Sequence, residues 1–236
     1  MPLDWARIEA ICFDVDGTLS DTDNHMVAGI VNSLRGLRWL IPETAQAKVA
    51  RTVVMTIESP GNFLYNLADR LGIDQTVYNL SDWLNRHTRQ RKPRNFWIIP
   101  GVEEVLVEFG HHFPLSIVSA RGRQGTEAFL NQFQLSSHFQ AVATSQTCRH
   151  TKTFPDPLIW AAERMAVSVE SCLMVGDTVV DIKAGKAAGA QTAGVLCGFG
   201  TRRELERAGA DILLDSPCGL IDSYRSHYQT HKDKMQ

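Results

Sequence analysis

Ile8-Glu9-Ala10-Ile11-Cys12-Phe13-Asp14-Val15-Asp16-Gly17-Thr18-Leu19-Ser20-Asp21-Thr22 is a short apolar run that stops at two carboxylates, a glycine and a threonine. Ile8, Ile11, Cys12 and Phe13 suit a buried strand. A strand that delivers an aspartate at its end presents it at the carboxyl edge of a sheet, where open α/β sheets bind their ligands. Asp14 and Asp16 flank one residue, so in extended chain they point the same way, and a turn at Gly17 can bring backbone towards a ligand as well. Two carboxylates held close repel each other unless a cation lies between them, so a divalent metal is the first implication. Asp and Gly are also ordinary turn residues, so the stretch has to be read with the rest of the chain.

Downstream the pattern turns helical. Val27, Ile30, Val31 and Leu34 share one helix face ended by Gly36, and Pro42 opens a second helix carrying Ala45, Val49, Val53 and Ile57. Leu64, Leu67, Ala68 and Leu71 make a third, and Val77, Leu80 and Leu84 begin a fourth that runs out before Pro93. Four amphipathic helices joined by turns describe a small bundle. From Pro100-Gly101 onward helix and strand alternate. Val102, Val105, Leu106 and Phe109 form a helix face, and Leu115 to Val118 is a strand ending at Ser119. A helix around Phe129 and Phe133 leads to the strand Ala141 to Thr144, and Pro157 opens a helix with Leu158, Ala161 and Met165. Cys172 to Gly176 is a strand ending at Asp177, Asp181 to Ala188 is helical and stopped by Gly189, Thr192 to Leu196 is the next strand, and Ile212 to Leu214 is a short last one. This alternation predicts an α/β fold, a Rossmann-like parallel sheet covered on both faces. The core domain is expected over residues 1–20 and 98–226, with an all-helical domain inserted over 21–97 and a polar, frayed tail over 227–236.

At 236 residues and 44% hydrophobic, the chain can bury a sizeable core. Twenty-four basic and 26 acidic residues leave a formal charge of −2, so no strong field argues for nucleic acid or an anionic membrane. Asp4, Arg7, Glu9, Asp14 and Asp16 interrupt any signal-like N-terminal window, and no run approaches membrane-spanning length. The five cysteines are scattered and odd in number, without a C-x-x-C pair, which fits reduced thiols and a cytoplasmic location. Cys148 and His150 read as a loop thiol near a surface histidine.

Three strands end in a polar residue suited to one reaction, namely Asp14, Ser119 and Asp177, and parallel strands bring all three to one edge. Lys152 precedes Pro155-Asp156-Pro157 and a helix, so it can reach over the same edge. Asp181 follows Asp177 by four residues, one turn along if helical geometry begins there. In order and spacing these residues resemble the haloacid dehalogenase-like (HAD) superfamily: Asp14-Val15-Asp16-Gly17-Thr18 as its first motif, Ser119 as its second, Lys152 as its third, and Gly176-Asp177 with Asp181 as its fourth. The helical insert resembles the family's C1-type cap, and Val195-Leu196-Cys197-Gly198-Phe199-Gly200-Thr201 adds a likeness to the phosphoglycolate phosphatase subfamily. Lys152-Thr153 departs from the lysine-proline often seen at the third motif.

The resemblance implies a Mg²⁺-dependent phosphatase acting on a small phosphorylated metabolite, as a monomer or homodimer. Asp14 would be the nucleophile and Asp16 the general acid and base, with Lys152 and Ser119 completing the catalytic set. Thr18, Ser119, Ala120 and Lys152 would contact the phosphoryl group. Asp14, the main-chain carbonyl of Asp16, and Asp177 would bind Mg²⁺, with Asp181 behind them. Phosphate-monoester hydrolysis asks for up to about 10²¹-fold acceleration, roughly 28 kcal/mol of barrier, which no single carboxylate supplies. The alternatives are a β-phosphoglucomutase-like sugar phosphomutase and a catalytically silent binding module on the same fold. Gly198-Phe199-Gly200 lacks the last glycine of a dinucleotide fingerprint, and Gly185-Lys186 lacks the upstream glycine of a P-loop. His25 reads as a linker residue, and the basic run Arg86, Arg89, Arg91, Lys92 and Arg94 as a solvated helix end.

Overall fold

A computed structural model describes residues 3–22 and 95–233. The four helices expected within 21–97, His25 and the basic run 86–94 lie outside the described residues, apart from positions 21, 22 and 95–97. The chain divides into two compact units, Met1–Thr22 with Phe96–Gln236, and Asp23–Asn95. The first unit carries every described element.

Six strands form one parallel sheet: β1 (Ala10–Phe13), β2 (Leu115–Val118), β3 (Ala141–Ala143), β4 (Cys172–Gly176), β5 (Gln191–Val195) and β6 (Ile212–Leu214). Their spatial order is β3-β2-β1-β4-β5-β6, all neighbours parallel. The helices between them are α1 (Val102–Gly110), α2 (Arg123–Gln132), α3 (Asp156–Met165), α4 (Val179–Ala187) and α5 (Arg202–Ala208), with α6 (Gly219–Asp233) at the end. Strands β1, β2, β4 and β5 are buried along their whole length, as a sheet covered on both faces requires.

The period of two sorts each strand between two cores. Ile11, Phe13, Ile117, Leu173 and Val175 face Val105, Phe109 and Phe129 from α1 and α2. Ala10, Cys12, Val118 and Met174 face Leu158, Ala161 and Met165 from α3 and Ala184 from α4. Small residues on the second face let α3 and α4 approach closely.

The main departure from the sequence reading is at the end of the chain. Residues 227–233, expected to fray, continue α6. The helix is anchored upstream. Trp5 Nε1 donates to Ser223 Oγ at 3.0 Å, and the Tyr224 ring lies edge-on to Trp5 and Phe109 at 5.1 and 5.6 Å between centroids. Trp5 in turn stacks on Phe109 at 5.7 Å. Leu220 is fully buried, and Tyr224 follows it by four residues on the same face.

Two chain directions diverge at β1 and β4. From β1 the sheet grows through β2 to β3, and from β4 through β5 to β6, so the β1/β4 junction is the switch point where a crevice opens beyond the carboxyl ends. The register sets Phe13 level with both Ile117 and Val175. Asp14 therefore leaves the sheet beside Gly176, with Ser119 and Asp177 one residue further out on either side.

Phe109 joins helix, sheet and the N-terminal tryptophan. Phe109→Ala is expected to cost about 3–5 kcal/mol of stability, read as a lower urea midpoint with an unchanged slope. A midpoint equal to wild type would remove this aromatic cluster from the core argument.

Candidate active site

Asp14 is fixed by the sheet itself. Its N–H donates to Val175 O at 2.9 Å, extending the ladder one residue past β1 and holding a nearly buried carboxylate over the switch point. The chain then turns. Gly17 has φ 75°, and a Cβ there would stand 2.3 Å from Asp177 Oδ2. Glycine is thus required twice over, by its backbone conformation and by the closeness of the acid from β4.

Asp177 is fully buried. It accepts from Thr18 Oγ1 at 3.3 Å and from the Phe199 N–H at 2.8 Å. The loop after β5 closes on it from the other side, where a Cβ at Gly198 would meet Asp177 Oδ2 at 2.2 Å. Asp181 occupies the third position of α4 and caps it, Oδ2 accepting from the Thr178 N–H at 3.0 Å and the Thr178 hydroxyl at 2.7 Å. An acid in the first turn also faces the positive end of the helix.

Lys152 comes from the loop before α3. Its Nζ donates to Asp14 Oδ1 at 2.6 Å and to Asp181 Oδ1 at 2.5 Å, with all three groups nearly removed from water. Burial alone would push this ammonium down, but the carboxylates of Asp14 and Asp181 outweigh it and hold Lys152 above the ordinary lysine value, firmly charged. Asp14 moves the other way from the usual acid. Burial raises it to about 7, with Lys152 pulling it back and the neighbouring charges of Asp181 and Asp16 raising it further.

Oxygens of Asp14, Asp177 and Asp181 all lie within 4.8 Å of one another. Such a set of buried, hard oxygen donors suits a hard divalent cation, which would offset their mutual repulsion. The carboxylate of Asp16 stands apart from this trio. Arg121 Nε donates to Asp16 Oδ2 at 3.0 Å, Arg121 Nη2 donates to Asp16 Oδ1, and Thr22 Oγ1 donates to Asp16 Oδ1 at 2.8 Å. Ser119 is buried at the end of β2, its N–H donating to Ala143 O at 3.0 Å and its Oγ accepting from the Arg121 N–H at 3.1 Å. Ala120 is exposed beside it.

The structure thus gathers Asp14, Lys152, Asp177 and Asp181 tightly, with Ser119 at the adjacent strand end. Two residues sit differently from expectation. Thr18 has no exposed surface and turns its hydroxyl to Asp177, which places it behind an acid instead of against a phosphoryl group. Asp181, expected behind the ligands, contributes an oxygen to the trio itself. Sequence reasoning missed Arg121 and the Phe199 N–H. The first had a signal, a basic residue two positions beyond a strand-terminal serine; the second, a backbone group, had none.

A parallel α/β sheet that gathers buried acids and a lysine at its switch point has oxygen donors for a divalent cation and a fixed positive charge for an anionic group. The family of haloacid dehalogenase-like hydrolases matches residues 11–195, and the chain belongs to that family. It is 26% identical over 216 residues to the pyrophosphatase PpaX of Bacillus cereus, covering 91% of this chain and 95% of that protein. It is 23% identical over 231 residues to a phosphoglycolate phosphatase of Shigella boydii, covering 91% of each. Among solved structures, a hydrolase from Pseudomonas syringae superposes with a TM-score of 0.61 at 25% identity, covering 92% of this chain and 98% of that one.

The position of Asp14 would make binding of a cation by the trio depend on pH. Its folded value of about 7 lies above the ordinary aspartate value of 3.8, so its contribution to stability is present below the unfolded pKa and is lost as pH rises through 7. A cation bound by the ionised trio would reverse that loss. MgCl₂ is therefore expected to raise Tm more at about pH 8 than at about pH 5.5, and Asp14→Asn to shrink that difference. An equal Mg²⁺ effect at both values would contradict this account of Asp14.

Proposed function

We propose that the chain is a Mg²⁺-dependent phosphatase that hydrolyses a small phosphomonoester through a phosphoryl group carried on Asp14. The observation that carries the reading is the meeting of Asp14, Asp177, Asp181 and Lys152 at the β1/β4 switch point. Asp14, Asp177 and Asp181 would hold Mg²⁺, with the backbone of Asp16 alongside. When bound, the ion supplies charge neutralisation for an anionic phosphoryl group.

In the first step a carboxylate oxygen of Asp14 forms a bond to phosphorus as the bond to the leaving oxygen breaks. That oxygen takes its proton from the Asp16 carboxyl group. In the second step Asp16 accepts a proton from water, the water oxygen bonds to phosphorus, and the Asp14–phosphorus bond breaks to release phosphate. Lys152 keeps Asp14 oriented and balances the charge gathered on the phosphoryl oxygens. The Ser119 hydroxyl and the N–H of Ala120 stand at the neighbouring strand end to hold those oxygens. Thr18 and the Phe199 N–H keep Asp177 in place. The buried ammonium at 2.5 and 2.6 Å from two acids supports an active centre over a silent binding module, because such a charge cluster stabilises little for its own sake.

A phosphate-release screen with Mg²⁺ over small phosphomonoesters tests the reading. 2-Phosphoglycolate and pyrophosphate head the set on the strength of the relatives, and hexose phosphates test for mutase chemistry. Asp14→Asn should lower kcat by about three orders of magnitude or more, and Asp16→Asn by about 10²- to 10⁴-fold, both with the wild-type fold by circular dichroism. Turnover by Asp14→Asn at near wild-type rate, after repurification, would overturn the assignment.

A further inference from the structure

The proposed reaction needs Asp16 free to give and take a proton, yet its carboxylate is held. Arg121 grips both oxygens side-on through Nε and Nη2, and its guanidinium carbon lies 4.9 Å from the centre of the Phe96 ring. The backbone of Arg121 is pinned at the sheet edge, its N–H donating to Ser119 Oγ and its carbonyl accepting from the Ser145 N–H at 3.1 Å each. The third guanidinium nitrogen, Nη1, is buried and makes no hydrogen bond among the described residues. A buried donor without an acceptor is costly, so this arginine has capacity for one more anionic oxygen.

We propose that Arg121 determines specificity: it binds a second anionic group on the leaving side of the substrate, and in doing so releases Asp16. The proposal rests on the phosphatase reading and names its substrate class, a phosphate ester or anhydride whose leaving group carries a carboxylate or a phosphate close to the leaving oxygen. One requirement of the proposed reaction and one observed contact lead there. Asp16 must approach the leaving oxygen to protonate it, and Arg121 lies one hydrogen bond beyond Asp16, so the next group on the leaving side falls within reach of the guanidinium. The planar fork that holds the Asp16 carboxylate also fits a substrate carboxylate or phosphate. An incoming anion can replace Asp16 on the fork and supply an acceptor to Nη1. A neutral leaving group offers arginine nothing in exchange, and Asp16 stays clamped.

The test compares kcat/KM for 2-phosphoglycolate and for pyrophosphate with that for ethyl phosphate, which lacks the second charge, in wild type, Arg121→Lys and Arg121→Met. Wild type should favour at least one of the two charged substrates. The corresponding ratio should fall by roughly 10- to 100-fold in Arg121→Met, the equivalent of one hydrogen-bonded charged contact, and by less in Arg121→Lys, which keeps charge but loses the fork. A fall for 2-phosphoglycolate alone identifies a carboxylate as the second group, and a fall for pyrophosphate alone identifies a phosphate. A wild type with no preference overturns the proposal without any variant, as do ratios unchanged in the variants. If Arg121→Met does not fold, Arg121→Lys decides. The whole substrate set separates the two levels of inference: no Mg²⁺-dependent phosphate release by wild type from any of 2-phosphoglycolate, pyrophosphate, ethyl phosphate and phenyl phosphate sinks the phosphatase reading, whereas release without charge preference sinks the role of Arg121 alone.

Discussion

The buried ammonium of Lys152 between Asp14 and Asp181 is the contact on which the rest of the site depends. Removing a lysine from water costs several kcal/mol, and two charge-assisted hydrogen bonds of 2.6 and 2.5 Å offset it. Each partner is in turn held by something else. Asp14 is tied to β4 through its backbone, and Asp181 is tied to the start of α4 through Thr178. The lysine thereby links the centre of the sheet, a helix start and the loop before α3. Removing the lysine would leave two buried carboxylates facing each other, which accounts for its place in a protein whose stability rests on the apolar layers around it.

The same constraint explains why the surroundings are small. Asp177 needs room between the turn after β1 and the loop after β5, and the clearances at Gly17 and Gly198 leave none for a side chain. Close backbone lets one carboxylate be reached from both sides, by Thr18 and by the Phe199 N–H. The gathered acids are held by backbone and helix start, whereas Asp16 has a partly exposed side chain held by the side chains of Arg121 and Thr22, not by the sheet. A nucleophile benefits from fixed geometry, and a proton carrier that must meet two different oxygens benefits from freedom to swing.

Much of this was legible in the chain. The parallel sheet followed from apolar runs alternating with helical patterns, because strands buried on both faces read as continuous hydrophobic segments. Asp14, Ser119 and Asp177 could be grouped because parallel strands share one edge, and Lys152 because its family-like spacing placed it over that edge. What escaped were features set by tertiary contact. The continuation of α6 depends on Trp5 and Phe109, some 115 to 220 positions earlier in the sequence. The burial of Thr18 and the inclusion of Asp181 among the clustered acids depend on side-chain direction, which spacing does not reveal. Arg121 was missed because its partner is 105 positions away.

The central claim is that Asp14 carries the phosphoryl group. The most direct test is to quench the enzyme with acid during turnover of its best substrate, reduce it with borohydride, which converts an aspartyl phosphate to homoserine, and sequence the peptide spanning residue 14 by mass spectrometry. The account predicts homoserine at position 14, only when substrate and Mg²⁺ are both present. Steady phosphate release with unmodified Asp14, or with the modification at another acid, would contradict it.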